Sequence, residues 1–589
     1  MILQALYDYY QRKAADTDSS IAPRGYEQKE IPFIIVIDKE GLFVNLEDTS
    51  EGEGKNRRYS KYLVVKTKIR TGAKSYETAN VLWDHYGYVL CHPKEDTEKG
   101  RNDAQKQHET FTNDVRAIAE RNPNSKGIQA VLKFISSEEE KQKVIQHSAW
   151  GDCAKRPGCN LSFKLAGEPT KIVAEDPALR YLAGDADADE DGTSIEEAIC
   201  LITGKKGRIA TLHTATSIPG GKSGAKLVGF QKNSGYDSYN KEQGANAPVS
   251  VEAEDAYTTA LNVLLGKDSA NKLKIGDTSV IFWAEKQVDF EDQFSFFFSN
   301  PDKDDPDRNI REVKALYNSV QSGKLYQNGK TPFYILGLAP NAARIAVRFW
   351  KRGTVQEFAS NIVQHFEDLK LIRRPNDKEY LTLFNLLVSI SQEYKLDNLP
   401  PNMAAAMMMS ALEGNLYPAT VQQQCLRRIK AEQSITYPRV AILKAYLNRK
   451  NRILTIKEKE ITMALDRENR NQGYLCGRLF AILEKVQEDA QPGLNATIKD
   501  RYFGAASATP VTVFGRLIKL STHHLEKLNK GSKVHYERML QDVIGAIDAN
   551  GLPAHLSLDD QSRFAIGYYH QRQDLFTAKK EKEEVLVEL

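Results

Sequence analysis

The sequence predicts an α+β N-terminal region with mixed or antiparallel sheets, followed by an all-helical C-terminal bundle. Short apolar, β-branched runs bounded by turn residues fill the chain to about Trp350. Beyond about residue 372 such runs become scarce, and apolar residues recur at helical spacing, as in Leu381, Phe384, Leu387, Val388 and again in Val440, Leu443, Leu447. The 589 residues also exceed the roughly 250–300 at which a single core stops growing, so several domains are expected.

The opening MILQALYDYYQRKAAD carries Asp and Tyr where a signal peptide would be apolar, and it reads as the first helix of the fold. Residues 31–37, the turn Asp38-Lys39-Glu40-Gly41 and residues 42–46 form a hairpin signal. Further strands are expected at 62–66, 86–90, 161–165, 199–203, 208–212, 279–283 and 333–338, with helices at 255–265 and 310–320. Arg344, Ala346, Arg348 and Trp350 alternate with Ile345, Val347 and Phe349, so a strand there sets two arginines and a tryptophan on one face. Pro438, after Thr436, suits a first helical turn. Met403, Met407, Met408 and Met409 read as adaptable core packing. The expected regions are 1–371, 372–462 as a helical connector, and 463–589 as a C-terminal helical bundle.

Composition is that of an ordinary soluble chain, 41% hydrophobic and 27% charged. No apolar run approaches the roughly 20 residues of a membrane span, so no membrane association is expected. The cysteines Cys91, Cys153, Cys159, Cys200, Cys425 and Cys476 are too sparse for a disulfide framework, and ordinary thiols in a reducing cytoplasm are expected. Cys153 and Cys159, with His147 before them, lack the usual zinc spacing. Asp187, Asp189, Asp191 and Gly192 imitate a calcium loop, but its ninth and twelfth positions are Ile195 and Ala198. Gly221-Lys222-Ser223 imitates a phosphate loop whose leading glycine is Thr216. His523, His524 and His555 have no nearby carboxylates at two-metal spacing, and no local catalytic motif is present. The expectation is therefore no enzyme, no catalytic residue, no metal and no cofactor.

Charge is near balance, 81 Lys+Arg against 78 Asp+Glu for a net +3, but it is unevenly distributed. Residues 198–236 contain no Asp or Glu, yet hold Lys205, Lys206, Arg208, Lys222, Lys226, Lys232 and His213 among interleaved glycines. Glycine admits close backbone approach, and Lys or Arg neutralises phosphate. The candidate DNA-binding residues are those six cations, with Ser223, Gln231, Asn233, Ser234 and Asn246, and Arg70, Lys74 and Asn80 from a second polar loop. Two basic helical zones, 426–452 and 499–538, suit tracking of a single-strand backbone. Their candidates are Arg427, Arg428, Lys444 and Arg449, then Lys519, Lys527, Lys530 and Lys533. A solvated helix face is the bland alternative for both.

Seven ordered blocks carry a resemblance: CLITGKKGRIATLH, SGAKLVGFQKNSGYDSYNKEQGANAPVS, AYTTALNVLL, IGDTSVIFWAE, FYILGLAPNAARIAVRFW, GYLCGRLFAILEKVQ and HLSLDDQSRFAIGYYHQRQDLF. With MILQALYDYY, they span essentially the whole chain, which resembles the large subunit of type I-C CRISPR Cascade complexes, the Csd family. Gly229-Phe230-Gln231-Lys232 departs from the family's more usual Ser-Phe-Asn. The resemblance implies a non-catalytic subunit of an RNA-guided surveillance complex involved in antiviral defence. Such subunits recognise the protospacer-adjacent motif (PAM) in double-stranded DNA, aid duplex opening, hold the displaced strand and recruit the helicase–nuclease. The implied partners are the guide RNA, the backbone subunits on it, a subunit gripping its 5′ end, and a small subunit from the same gene. Internal initiation at Met463 gives that small subunit as residues 463–589. The competing readings are a standalone metal-dependent nuclease with a dispersed site and a purely structural assembly subunit.

Overall fold

The computed structural model describes residues 2–16, 21–52, 57–68, 70, 72–168, 171–184, 197–222, 224–231, 237, 239–299, 305, 307–322, 329–400 and 402–576. Packing divides the chain into two compact units, Met1–Ser269 with Pro340–Ala346, and Ala270–Ala339 with Val347–Leu589. The first is α+β and the second couples a sheet to a large helical array, the fold class expected.

In the first unit a four-stranded mixed sheet runs in the order Phe43–Asp48, Phe33–Ile37, Asn160–Leu165, Trp83–His85. All five residues of Phe33–Ile37 are buried, as a continuous apolar run predicts for a strand covered on both faces. It pairs antiparallel with Phe43–Asp48 and parallel with Asn160–Leu165, the parallel partner reached through helices that include Glu98–Arg121, Lys126–Ile135 and Glu138–Gln146. Thr97, Ser125 and Ser137 cap those three helices with their hydroxyls. The hairpin turn is set by Asp38, whose Oδ1 accepts from the N–H groups of Glu40 and Leu42 at 3.0 and 2.8 Å.

Three strand expectations are corrected here. Tyr86–Leu90 is a short helix, because His85 Nδ1 caps it by accepting from Gly87 N–H at 3.0 Å, and Cys91 closes it at φ +58°. All five of its residues are buried, so the run lacks the alternation that marks a half-exposed strand. Of 199–203 only Ile199 is extended, at the end of the strand Glu197–Ile199. Cys200 then turns inward, its sulfur accepting from the N–H groups of Ile202 and Ser250 at 3.4 and 3.2 Å. The return strand is Lys206–Arg208, earlier than the expected 208–212.

In the second unit Lys272–Ile275, Thr278–Ala284 and most of Pro332–Asn341 and Arg344–Thr354 lie side by side in chain order. Trp350 stacks on Tyr334 with centroids 5.6 Å apart, and Arg348 pairs with Asp277 at 3.2 Å. The Arg348–Trp350 face is thus partly satisfied within the sheet. Helices from Val355–Leu369 to Leu558–Phe576 share one apolar core with these strands. The expected regions 372–462 and 463–589 both contribute to that core. Met403, Met407 and Met408 are buried in it, as their spacing predicts. Helices Gln472–Ala490 and Leu558–Phe576 approach backbone to backbone through three glycines. A Cβ at Gly473, Gly477 or Gly567 would lie 2.4, 2.0 or 2.2 Å from a carbonyl oxygen of the opposite helix.

All six cysteines are free thiols, five of them buried. No helix among the described residues is long and apolar enough to cross a membrane. No group of three His, Cys, Asp or Glu among the described residues is placed to hold a metal ion. The calcium-loop mimic at 187–192 lies outside the described residues.

Candidate nucleic-acid interface

The acid-free segment of the first unit is built on a narrow hairpin. Glu197–Ile199 pairs with Lys206–Arg208, and Gly204 turns the chain at φ +69°. Buried Cys200 and Ile202 pin the turn, which leaves Lys205 and Lys206 in solvent and Arg208 half-buried. Lys206 meets Glu197 at 3.0 Å with both side chains exposed, a pair that costs little to open. Lys222 is exposed as well, and Gln231 lies on the surface. Ser223, Lys232, Asn233 and Ser234 lie outside the described residues.

Lys226 is half-buried, and its carbonyl accepts from Ile345 N–H at 3.1 Å. Burial lowers the affinity of its ammonium for the proton, with the Glu254 carboxylate opposing. Glu254 is itself raised by burial, against the pull of Lys66, and accepts from Thr214 N–H at 2.6 Å. His213 is buried and hydrogen-bonded through Nδ1 to the Tyr257 hydroxyl at 2.5 Å. Desolvation, and then the Lys226 charge, lower it to about 4, so it stands as a neutral interior group rather than a surface cation.

Asn246 points into its own loop. Its amide donates to Asp237 Oδ1 at 3.1 Å and to the carbonyls of Lys241 and Gln243. The 70–80 loop is likewise internally committed in part. Arg70 forms a two-armed ion pair with the buried Asp84, donates to Thr78 O at 2.8 Å and covers the Tyr88 ring at 4.2 Å. Asn80 is buried, accepting from Lys68 N–H at 3.2 Å. Lys74 is exposed, 3.4 Å from Glu77. Of these three, only Lys74 faces solvent.

In the second unit the two basic zones differ. On Ala419–Glu432, Arg427 is exposed and Arg428 is half-buried against Glu432. On Tyr437–Ile453, Lys444 is buried and donates to Asp368 O at 3.0 Å, while Arg449 has no exposed side-chain surface and meets Asp368 Oδ2 at 2.9 Å. Both are interior groups, Lys444 on a backbone carbonyl and Arg449 in an ion pair, since the helix is buried from Arg439 to Arg449. Lys519 on Pro510–Leu525, Lys527, and Lys530 at the start of Lys530–Gly545 are all exposed, and Lys533 lies 4.0 Å from Glu537. A residue passed over in the sequence is Tyr239, 94% exposed. The available signal is an aromatic isolated in the polar run from Asp237 to Lys241.

Among the described candidates, Lys74, Lys205, Lys206 and Lys222 in the first unit and Arg427, Lys519, Lys527 and Lys530 in the second are the solvent-facing cations. A family model described as CRISPR-associated protein (Cas_Csd1) matches residues 6–576. The chain belongs to that family. Membership makes this Cas_Csd1 protein a component of a CRISPR Cascade assembly. No curated protein matches the chain.

Proposed function

We propose that this Cas_Csd1 protein is the non-catalytic large subunit of a type I-C, RNA-guided surveillance complex. In this reading it recognises the protospacer-adjacent motif in double-stranded DNA, aids opening of the duplex, stabilises the R-loop and recruits the helicase–nuclease. Base pairing with the guide reads the sequence, while the protein reads a short motif and holds unwound strands. The observation that carries the proposal is the acid-free segment, whose Lys205 and Lys222 face solvent with no carboxylate in the intervening chain. Exposed Lys519, Lys527 and Lys530 are the single-strand backbone contacts in this reading.

The test is charge reversal in the assembled, guide-loaded complex. Lys205→Glu, Lys206→Glu and Lys222→Glu together abolish salt-sensitive target binding and leave assembly intact. Unchanged target binding would return the chain to a purely structural role. DNA cutting that requires magnesium or manganese, and that single carboxylate substitutions abolish, would make it a nuclease instead. The reading also holds that residues 463–589 are made separately from Met463. In its favour, the glycine-mediated pair Gln472–Ala490 and Leu558–Phe576 lies wholly inside that span. A fragment of that size that persists after Met463 and neighbouring start codons are replaced argues against it.

A further inference from the structure

Tyr239 is the most exposed of the large apolar or aromatic side chains described, at 94%, and it stands on a loop built to keep it there. Tyr239 and Asn240 both occupy the left-handed region, at φ +52° and +59°, and Gln243 follows at +45°. Non-glycine residues take that conformation at a cost, and it persists only where the surroundings impose it. Here the Asp237 carboxylate imposes it, accepting at 3.1 Å from both Gln243 N–H and the Asn246 amide. The base of the loop is fastened to the acid-free segment, where Gly244 N–H donates to Thr211 O at 3.1 Å. That approach is so close that a Cβ at Gly244 would lie 2.0 Å from Ala210 O. None of this ordering buries the ring.

We infer that Tyr239 is a stacking residue for an unpaired nucleobase of the target DNA. The inference rests on the proposed DNA-recognition function and adds to it a named contact. The ring's flat face suits any base, because every base offers a π-surface and stacking is tolerant of sequence. Exposed Lys241, two residues on, supplies charge for the neighbouring phosphate, and the root of the loop lies on a segment without carboxylates. Asp237 and the exposed Glu242 flank the ring, so the charge that favours a nucleic-acid strand over an apolar protein socket is that of the lysine-bearing segment at the root of the loop.

The probe is a guide-matched target duplex carrying 2-aminopurine at one position at a time around the start of the guide-complementary stretch. It is read with the assembled complex. Tyr239→Ala raises the fluorescence at one position by removing the quenching ring, and weakens target binding about tenfold. Tyr239→Phe keeps both signals near those of the parent. Gly244→Ala, which displaces the loop and keeps the ring, reproduces the Tyr239→Ala signal. Equal fluorescence and affinity for Tyr239→Ala and parent overturn the inference, as does loss of Tyr239→Ala protein from the assembled complex, which would make the ring a protein contact. If the lysine reversals abolish binding while Tyr239→Ala changes nothing, this contact alone fails. If the reversals also change nothing, the DNA-recognition reading fails with it.

Discussion

In residues 426–452 three cations are buried and others are held in ion pairs. Arg439 and Arg449 have no exposed side-chain surface, Lys444 is buried, Arg452 reaches Asp368 at 2.8 Å, and Lys450 reaches Asp559 at 2.6 Å. In residues 499–538, by contrast, Lys519, Lys527 and Lys530 stand in solvent. The two zones are alike in composition, and the helices that carry them explain the difference. Tyr437–Ile453 buries every residue from Arg439 to Arg449, so that stretch is covered all round and each cation on it needs an internal partner. Pro510–Leu525 buries one stripe, Val513, Phe514, Leu517, Ser521 and Leu525, which leaves a free face for charge. A basic helix therefore tells of a polyanion partner only when its apolar residues are confined to one side.

The largest effect that tests this contrast comes from Asp368. Its carboxylate holds the buried Arg449 at 2.9 Å and the exposed Arg452 at 2.8 Å. Asp368→Ala strands a buried guanidinium, and the chain loses about 3–5 kcal/mol, read from the urea midpoint. Lys519→Ala, Lys527→Ala and Lys530→Ala together stay within about 0.5 kcal/mol per site of the parent. A loss of under about 1 kcal/mol for Asp368→Ala breaks the comparison.

Acid gives the next effect, through histidines beside the same interior cations. His365, hydrogen-bonded to the Tyr417 hydroxyl at 2.5 Å, is lowered to about 3 by burial and then by Arg449. His570, bonded to the Tyr474 hydroxyl at 2.9 Å, is lowered to about 3 by burial and then by Lys444, with Asp466 opposing. Both stay neutral in the fold, whereas in the unfolded chain they take up a proton below about 6.5. The unfolded state then binds more protons, so stability present above that pH is lost as pH falls toward the folded values. The slope is at most about 1.4 kcal/mol per pH unit for each histidine. Urea midpoints at pH 7.5, 6.5 and 5.5 fall accordingly in the parent, and the fall is shallower in His365→Phe and His570→Phe. A midpoint flat across that range contradicts the assignment.

These contrasts show where the sequence was legible. The strands Phe33–Ile37, Asn160–Leu165 and Thr278–Ala284 follow from their apolar runs, and the helical grammar after residue 372 was plain from its spacing. Tyr86–Leu90 was not, since a five-residue buried run has no period to distinguish helix from strand, and a capping histidine decided it. The acid-free segment was legible because charge depletion needs no structure to be seen. The inward turn of Arg449 and Lys444 was not, because their partner Asp368 lies more than seventy residues earlier in the chain. Arg70 was misleading for a nearer reason: a basic side chain beside a strand looks available until Asp84 comes round the turn to meet it.

The smallest effect sharpens the contrast most, because it measures charge without touching the fold. A cation that neutralises a phosphate releases a counterion, and for single strands each such contact adds about 0.7 to the steepness of log affinity against log salt. Removing Lys519, Lys527 and Lys530 flattens the slope for the assembled complex on target DNA by about 2. Arg427→Ala, at an exposed cation of the other zone, flattens it by at most about 0.7. Lys444→Met leaves it unchanged, since that ammonium is already held by Asp368 O. A slope that responds to Lys444 as it does to Lys519 would mean that the interior helix opens to solvent when DNA binds, and burial would then no longer separate the two zones.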